Sequence, residues 1–411
     1  MSPQSKKILV VTYGSRGDVQ PFLALALALK EKGYQVIFTG PPENASWINS
    51  YNCPFHPLGS NMDILAKQIE NAHSLNSGIA FIKFMRQEID YQFSQLPQII
   101  KGADLVIGAP LTLALLSVAE LMKIPYLFMA LCPQMIPSSI HPFVYNFNLP
   151  SWMSQPLYYM GKISDKFSLK QLINKKRSSS GLNKLALDET SLMHLLGSKV
   201  LMATDSVLGQ VGTNPVRESF QTGYLHLKQQ GEIDTDLKEF IEAGEPPIYI
   251  GFGSMPNKSL ETSLNFVLQA ARSQGQRVIY SVGSNLDNSF IHSQDCFFAN
   301  NIPHDHLFPL VKAVIHHGGA GTTATAAKAG VPQIIIPHIL DQFYWAICVS
   351  KAGLGPKSIY RGLLNAKRLT RAIHEISVRD IYQRNAQKVA ATIKAQDSLE
   401  MAVQFIETNF L

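Results

Sequence analysis

Short apolar runs closed by glycine or proline alternate with Leu/Ala-rich stretches through the first 130 residues. Lys7 to Thr12 (KILVVT) is β-branched and closed by Gly14, as a parallel strand buried on both faces should be. Pro21 to Lys32 is Leu/Ala-rich and stops at Gly33, which predicts a helix. Gln35 to Thr39 (QVIFT) is a second strand, closed by Gly40-Pro41-Pro42; Asp104 to Ile107 and Pro125 to Met129 repeat the pattern. From Cys132 to Ser180 it weakens, and His141 to Met160 is rich in aromatics and prolines, with no regular amphipathic period. Lys162, Lys166 and Lys170 then recur every four residues and would share one face of a helix.

Between Ala203 and Glu245 the composition turns polar, with loop signals at Thr213-Asn214-Pro215, Gln229-Gln230-Gly231 and Ala243 to Pro247. A second alternating series follows. Pro247 to Gly251, Arg277 to Ser281, Lys312 to Ile315 and Gln333 to Ile336 read as strands, Ser259 to Ser273 and Thr322 to Ala329 as helices, and Ala366 to Leu411 as all-helical. Strands alternating with helices imply an α/β fold with parallel sheets and right-handed crossovers. The expected organisation is an N-terminal domain over 1–215 and a C-terminal domain over 216–385. A helical segment over 386–411 is expected to pack back on the first domain. Ligands of such sheets bind outside the carboxyl ends of the strands.

Composition narrows the classes. The 411 residues are 46% hydrophobic, which excludes a mainly disordered chain, and the length suggests two or three domains. A net charge of +6 is mild for this length; it does not call for nucleic acid and is compatible with anionic ligands or an anionic membrane surface. Cys53, Cys132, Cys296 and Cys348 show no CxxC spacing, which argues against a zinc site or a disulfide framework. The N-terminus lacks the apolar region of a signal peptide, and the stretch from Leu105 to Ala119 is shorter than the roughly 20 residues that span a bilayer. A cytoplasmic protein is expected, with peripheral contact at a membrane surface left open.

Four loops could carry chemistry. His316-His317-Gly318-Gly319-Ala320-Gly321-Thr322-Thr323 follows a predicted strand and opens a predicted helix. Its small residues admit a ligand to the backbone, and exposed N–H groups with the helix dipole favour phosphate over a turn packed for steric reasons. Gly251-Phe252-Gly253-Ser254 is a weaker signal, at par with an ordinary strand-to-helix turn. Asp341-Gln342, after the strand QIII, could grip vicinal hydroxyls; taken alone, an N-cap by Asp341 is favoured. Gly14-Ser15-Arg16-Gly17-Asp18-Val19-Gln20-Pro21 lacks a dinucleotide fingerprint but puts Asp18 where a general base, or a helix cap, would sit.

Taken together, GSRGDVQP, GFGSM and HHGGAGTT…GVPQIIIPHILDQ resemble the inverting nucleotide-sugar glycosyltransferases of family 1. The resemblance covers nearly the whole chain and is nearest the sterol glucosyltransferase and bacterial glycopeptide glycosyltransferase branches. It implies the GT-B fold, two facing Rossmann-like domains with an interdomain cleft. By resemblance, His317, Gly319, Ala320, Gly321 and Thr322 surround the donor diphosphate, with Ser254 on the other side. Ser15, Arg16 and Gly17 form the phosphate side of the N-terminal loop. Ile302 and His304 belong to the segment that reads uracil, Asp341 and Gln342 hold the sugar hydroxyls, and Asp18 matches the base. Two departures stand out: no carboxylate in Gly108 to Thr112 could back Asp18, and His306 stands where the sterol branch usually has tryptophan.

The resemblance implies transfer of a hexose, in first place glucose, from a UDP-sugar to a hydroxyl of a hydrophobic acceptor such as a sterol or other lipid, giving a β-glycoside. No metal or other cofactor is expected beyond the donor co-substrate. Phe143, Tyr145, Phe147 and Trp152 are candidates for an apolar acceptor pocket, or simply pack a helical subdomain. The lysines at 162, 166 and 170 could dock on an anionic membrane, although a solvated helix face is the simpler reading. Competing functions are transfer to an aromatic, polyketide or peptide natural product from a UDP- or TDP-sugar, a nucleotide-sugar epimerase, and a non-catalytic sugar-nucleotide-binding protein.

Overall fold

A computed structural model describes residues 5–61, 75–137, 160–212, 215–252, 260–281, 293–299 and 302–411. Phe143, Tyr145, Phe147, Trp152 and Ser254 lie outside the described residues. The chain divides into two compact units: Met1–Ser206 with Gln210–Leu227 and Asp397–Leu411, and Val207–Gly209 with Lys228–Gln396.

The first unit is built on seven parallel strands: β1 (Lys7–Val11), β2 (Gln35–Gly40), β3 (Phe55–Pro57), β4 (Leu105–Gly108), β5 (Tyr126–Ala130), β6 (Lys199–Met202) and β7 (Glu218–Gln221), in the order β3-β2-β1-β4-β5-β6-β7. Its central strands are apolar throughout because both faces are covered; Ile8 to Val11 and Leu105 to Ile107 are fully buried. Helix α1 (Arg16–Glu31) buries Val19, Phe22, Leu23, Leu25, Ala26 and Leu29 against this sheet. It starts five residues before Pro21, which lacks only the N–H that would bond back to Gly17. Further helices of this unit are α2 (Ala45–Ser50), α3 (Leu75–Ile99) and α4 (Leu169–Ser179).

The second unit has five parallel strands: β8 (Ile248–Gly251), β9 (Val278–Ser281), β10 (Cys296–Ala299), β11 (Ala313–His316) and β12 (Gln333–Ile335), in the order β10-β9-β8-β11-β12. Its helices include α5 (His304–Leu307), α6 (Ala320–Ala329) and α7 (Gln342–Lys351). In each sheet the first strand of the series lies between the second and the fourth, so the strand order reverses between β1 and β4 and between β8 and β11. Those reversals are the switch points where ligands of open α/β sheets bind.

Three expectations differ from the structure. The first unit continues past residue 215 to Leu227, because β7 (ESFQ) pairs along β6 as a polar edge strand. The returning C-terminal segment is shorter than 386–411. Helix α8 (Asp380–Lys394) stays in the second unit, where Gln383 donates to the Gly330 carbonyl and Asn385 to the Gly353 carbonyl. Only α9 (Ser398–Phe410) joins the first unit, burying Ala402, Val403 and Ile406 beside α1, with Lys32 paired to Glu400 at 3.0 Å. The lysine stripe is broken as well. The helix over 160–166 ends in a turn, and α4 restarts with Lys170 pointing inward, its Nζ on the carbonyls of Ala186, Leu187 and Glu189. Among the described residues no helix is long and apolar enough to cross a membrane.

Candidate active site

At the first switch point the chain leaves β1 through Thr12, Tyr13 and Gly14 and enters α1 at Ser15. Gly14 has φ 131°, and a Cβ there would lie 2.7 Å from both Cβ and Oδ2 of Asp18. Only glycine leaves room for that carboxylate. Asp18 sits in the first turn of α1, where its Oδ2 accepts from the Ser15 N–H at 2.9 Å and the Ser15 hydroxyl at 2.8 Å. Residues 15 to 18 are exposed, so the carboxylate is open to a substrate. The protein around it nevertheless raises its pKa through desolvation, opposed by the two Ser15 hydrogen bonds. The cap and the base are therefore compatible roles: Asp18 satisfies the N-cap N–H while keeping its other oxygen for chemistry. The Arg16 guanidinium lies 4.8 Å over the Trp47 ring in α2, and partial desolvation by the surrounding protein lowers its pKa.

Two supports of this edge were not legible in the sequence. Tyr13 donates to the fully buried Glu88 of α3. After β4, Leu111 adopts a left-handed φ of 71° and is clamped by the buried Gln92, which donates to the Leu111 carbonyl at 2.9 Å and accepts from the Ala114 N–H at 3.0 Å.

At the second switch point β11 ends at His316 and the chain turns through His317 and Gly318 to the N-cap Gly319 of α6. Gly318 has φ 90°, and a Cβ would meet Ile335 at 2.7 Å and the Gln342 carbonyl at 3.0 Å. The first intrahelical bond runs from the Thr323 N–H to the Gly319 carbonyl, so the N–H groups of Ala320, Gly321 and Thr322 precede it and have no intrahelical partner. No acidic residue stands in this first turn. His317 lies over it: a Cβ on Gly319 would be 2.6 Å from His317 Nε2. Burial pushes the His317 imidazole down to about 4, partly offset by the Gly251 carbonyl, so it is neutral at pH 7. Its Nδ1 is buried without a well-formed hydrogen bond.

His316 is structural rather than a ligand group. Its Nδ1 accepts from the Gly318 N–H at 3.0 Å and its Nε2 faces Gln333 Oε1 at 2.9 Å, which fixes the tautomer. Burial pushes it down to about 3.

The same edge gathers the other predicted groups. Phe252, after β8, stacks on His338, after β12, at 5.6 Å. His304 opens α5, faces the Tyr249 hydroxyl of β8 at 2.9 Å and stacks on Phe308 at 4.5 Å; Ile302 packs beside the same cluster. Asp341 precedes α7 but makes no cap hydrogen bond; its Oδ2 accepts from the Trp345 indole at 3.1 Å. Gln342 is buried, and its Oε1 accepts from the N–H groups of His338 (2.8 Å) and Ile339 (3.0 Å), leaving its amide NH2 for a ligand. Thus His304, His317, Gly319 to Thr322, Asp341 and Gln342 share one edge of the second unit, while Ser15 to Asp18 form an edge of the first. Among the described residues no group of three or more His, Cys, Asp or Glu side chains is placed to hold a metal ion.

Residues 8–139 match the glycosyltransferase family 28 N-terminal domain, and residues 278–407 the C-terminal domain of erythromycin biosynthesis protein CIII-like proteins. A vancomycin aglycone glucosyltransferase of Amycolatopsis orientalis is 31% identical over 362 residues, 85% of each chain. A sterol 3-beta-glucosyltransferase of Arabidopsis thaliana is 30% identical, aligned over 97% of this chain and 64% of its own length. The glycosyltransferase VinC, solved in complex with dTDP, shares the fold with a TM-score of 0.72 at 18% identity, over 98% of both chains. With the strand order, the two switch points and these relatives in hand, the chain belongs to the GT-B glycosyltransferases of the family 1 and family 28 type, enzymes that transfer a sugar.

Proposed function

We propose that this enzyme moves glucose from UDP-glucose to a hydroxyl of a hydrophobic acceptor such as a sterol or another lipid, with inversion at the anomeric carbon. The observation that carries the transferase chemistry is Asp18: an open carboxylate, fixed by Ser15, with its pKa raised by its surroundings. An aspartate is a weak base toward an alcohol, and a pKa raised by desolvation makes it a stronger one. The acceptor reading is supported by the alignment with the sterol enzyme, which runs over 97% of this chain.

In the proposed step the acceptor oxygen forms a bond to the anomeric carbon and the bond from that carbon to the diphosphate oxygen breaks. The acceptor proton goes to Asp18, and UDP leaves with the bonding pair. The N–H groups of Ala320, Gly321 and Thr322, with neutral His317 as a donor, meet the charge that grows on the diphosphate. Ile302 and His304 accommodate the base. Asp341 and the Gln342 amide NH2 hold the sugar hydroxyls. Ser15, Arg16 and Gly17 complete the phosphate side of the first loop, with Arg16 steadied on Trp47. No bound cofactor is required by this scheme beyond the donor.

A second reading is supported by the vancomycin enzyme, at 31% identity, and by the dTDP held in VinC: a natural-product acceptor with a UDP- or TDP-sugar. The deciding experiment is UDP or TDP release from a donor panel, with and without a sterol and lipid extract, followed by product masses. Lipid-dependent release with a hexose-sized mass gain supports the first reading. Release only with an aromatic or peptide acceptor replaces it. Asp18→Asn is expected to lower turnover by about 10²–10⁴-fold while UDP affinity stays unchanged; near-normal turnover would remove Asp18 from the mechanism.

A further inference from the structure

The helix over 160–166 and the turn that ends it carry Met160, Ile163 and Phe167, spaced as one helix face. Their exposures are 66%, 59% and 68%. The backbone that follows them is held by Lys170, whose ammonium donates to the carbonyls of Ala186, Leu187 and Glu189. Met160, Ile163 and Phe167 are thus three large apolar side chains given to water on a backbone that is tied down. Besides the Lys170 bonds, Asp165 accepts from the Ser191 N–H at 2.8 Å. Contiguous exposed apolar surface of this kind marks a binding face.

The charges beside the ridge select its partner. Between Met160 and Lys175 the only acid is Asp165, and it is engaged with the Ser191 N–H. Lys170 is buried. Lys162, Lys166 and Lys175 make no ion pair among the described residues, and Lys166 Nζ stands 5.8 Å from the Phe167 ring centre. Apolar side chains flanked by unpaired lysines fit the boundary between headgroups and acyl chains of an anionic bilayer. We propose that Met160, Ile163 and Phe167, with Lys162 and Lys166, form a docking ridge for an anionic lipid surface. The inference differs from the lysine stripe of the sequence in that the apolar residues make the insertion and Lys170 only supports it. It does not depend on the identity of the acceptor.

The test is cosedimentation of the full chain, without donor or acceptor, with vesicles of phosphatidylcholine alone or mixed with phosphatidylglycerol. Binding to the mixed vesicles is expected, weakened at least about ten-fold by Phe167→Glu. Lys162→Gln and Lys166→Gln are each expected to weaken it about five-fold and to reduce its salt dependence. Leu310→Glu, at an exposed apolar site of the other unit, should leave it unchanged. These positions are on the surface, so thermal unfolding of each variant should match the wild type. Turnover of Phe167→Glu on a detergent-dissolved acceptor should also be unchanged, which separates docking from the acceptor assignment. Absence of binding to mixed vesicles, or wild-type binding by Phe167→Glu, overturns the proposal. Self-association abolished by Phe167→Glu, without vesicle binding, would overturn it in favour of a second copy of the chain.

Discussion

His316 ties the stability of the five-stranded unit to pH. In an unfolded chain a histidine titrates near 6.5. In the folded unit both ring nitrogens of His316 are engaged, one accepting from the Gly318 N–H and one donating to Gln333, and burial pushes the group down to about 3. The unfolded chain therefore binds more protons between those values. Stability from this residue is full above about pH 6.5 and is lost as pH falls toward 3. Each pH unit in that window is worth roughly 1.4 kcal/mol, so moving from pH 7 to about pH 5 removes on the order of 2 kcal/mol through His316 alone. The perturbation is His316→Asn, which keeps an amide oxygen for the Gly318 N–H and cannot titrate. Urea unfolding of both proteins at the two pH values isolates the effect, because His317 and His338, also pushed down to about 4 and about 3 by burial, are present in both. The wild type should lose about 2 kcal/mol more than the variant. Equal losses would refute the assignment of a buried, neutral His316.

Gly14→Ala forces a side chain into a left-handed backbone and against Asp18, so kcat should fall by at least about ten-fold toward the Asp18→Asn level with circular dichroism unchanged. An unaltered kcat would mean that Asp18 is not where catalysis needs it. Ser15→Ala removes a hydrogen bond that holds the Asp18 pKa down, so the acid limb of the kcat profile, where activity falls as pH drops, should move to higher pH; a fixed limb would detach it from Asp18. Gln92→Leu leaves the Leu111 carbonyl and the Ala114 N–H without their partner and should cost about 2–4 kcal/mol of stability, read by urea unfolding. A loss below about 0.5 kcal/mol would show that the loop after β4 holds its own shape.

The strands at the centre of both sheets were legible because burial on two faces leaves a continuous apolar run, as in KILVV and IYIG. Edge strands were not. β7, with the sequence ESFQ, meets the sheet on one side only and carries polar residues that read as loop. The loops at the strand ends could be found from glycines and chemistry-bearing residues, but not the division of labour inside them. Nothing local distinguishes His316, locked to Gln333, from His317 beside it; the difference arises because alternate strand residues point to opposite sides. A polar residue in each of two apolar strands, AVIH and QII, was the available signal. Lys170 failed as a surface residue because a four-residue period describes a helix only while the helix continues, and this one breaks at Phe167 and Ser168.

The two units repeat one strand order and differ in the first turn of the helix at the switch point. In α1 that turn carries Asp18, which itself takes the N-cap N–H and places a negative charge at the positive end of the helix. The positive end of the helix stabilises that carboxylate and works against the desolvation that raises its pKa. In α6 the turn reads Ala-Gly-Thr with no acid, and its N–H groups and dipole remain for an anion. The neutral state of His317 fits the same division, since it can donate to a phosphate without placing a buried cation there when the site is empty. In the proposed mechanism, a single acidic side chain in the third position of a helix turns one copy of a common scaffold toward proton abstraction and leaves the other to hold a diphosphate.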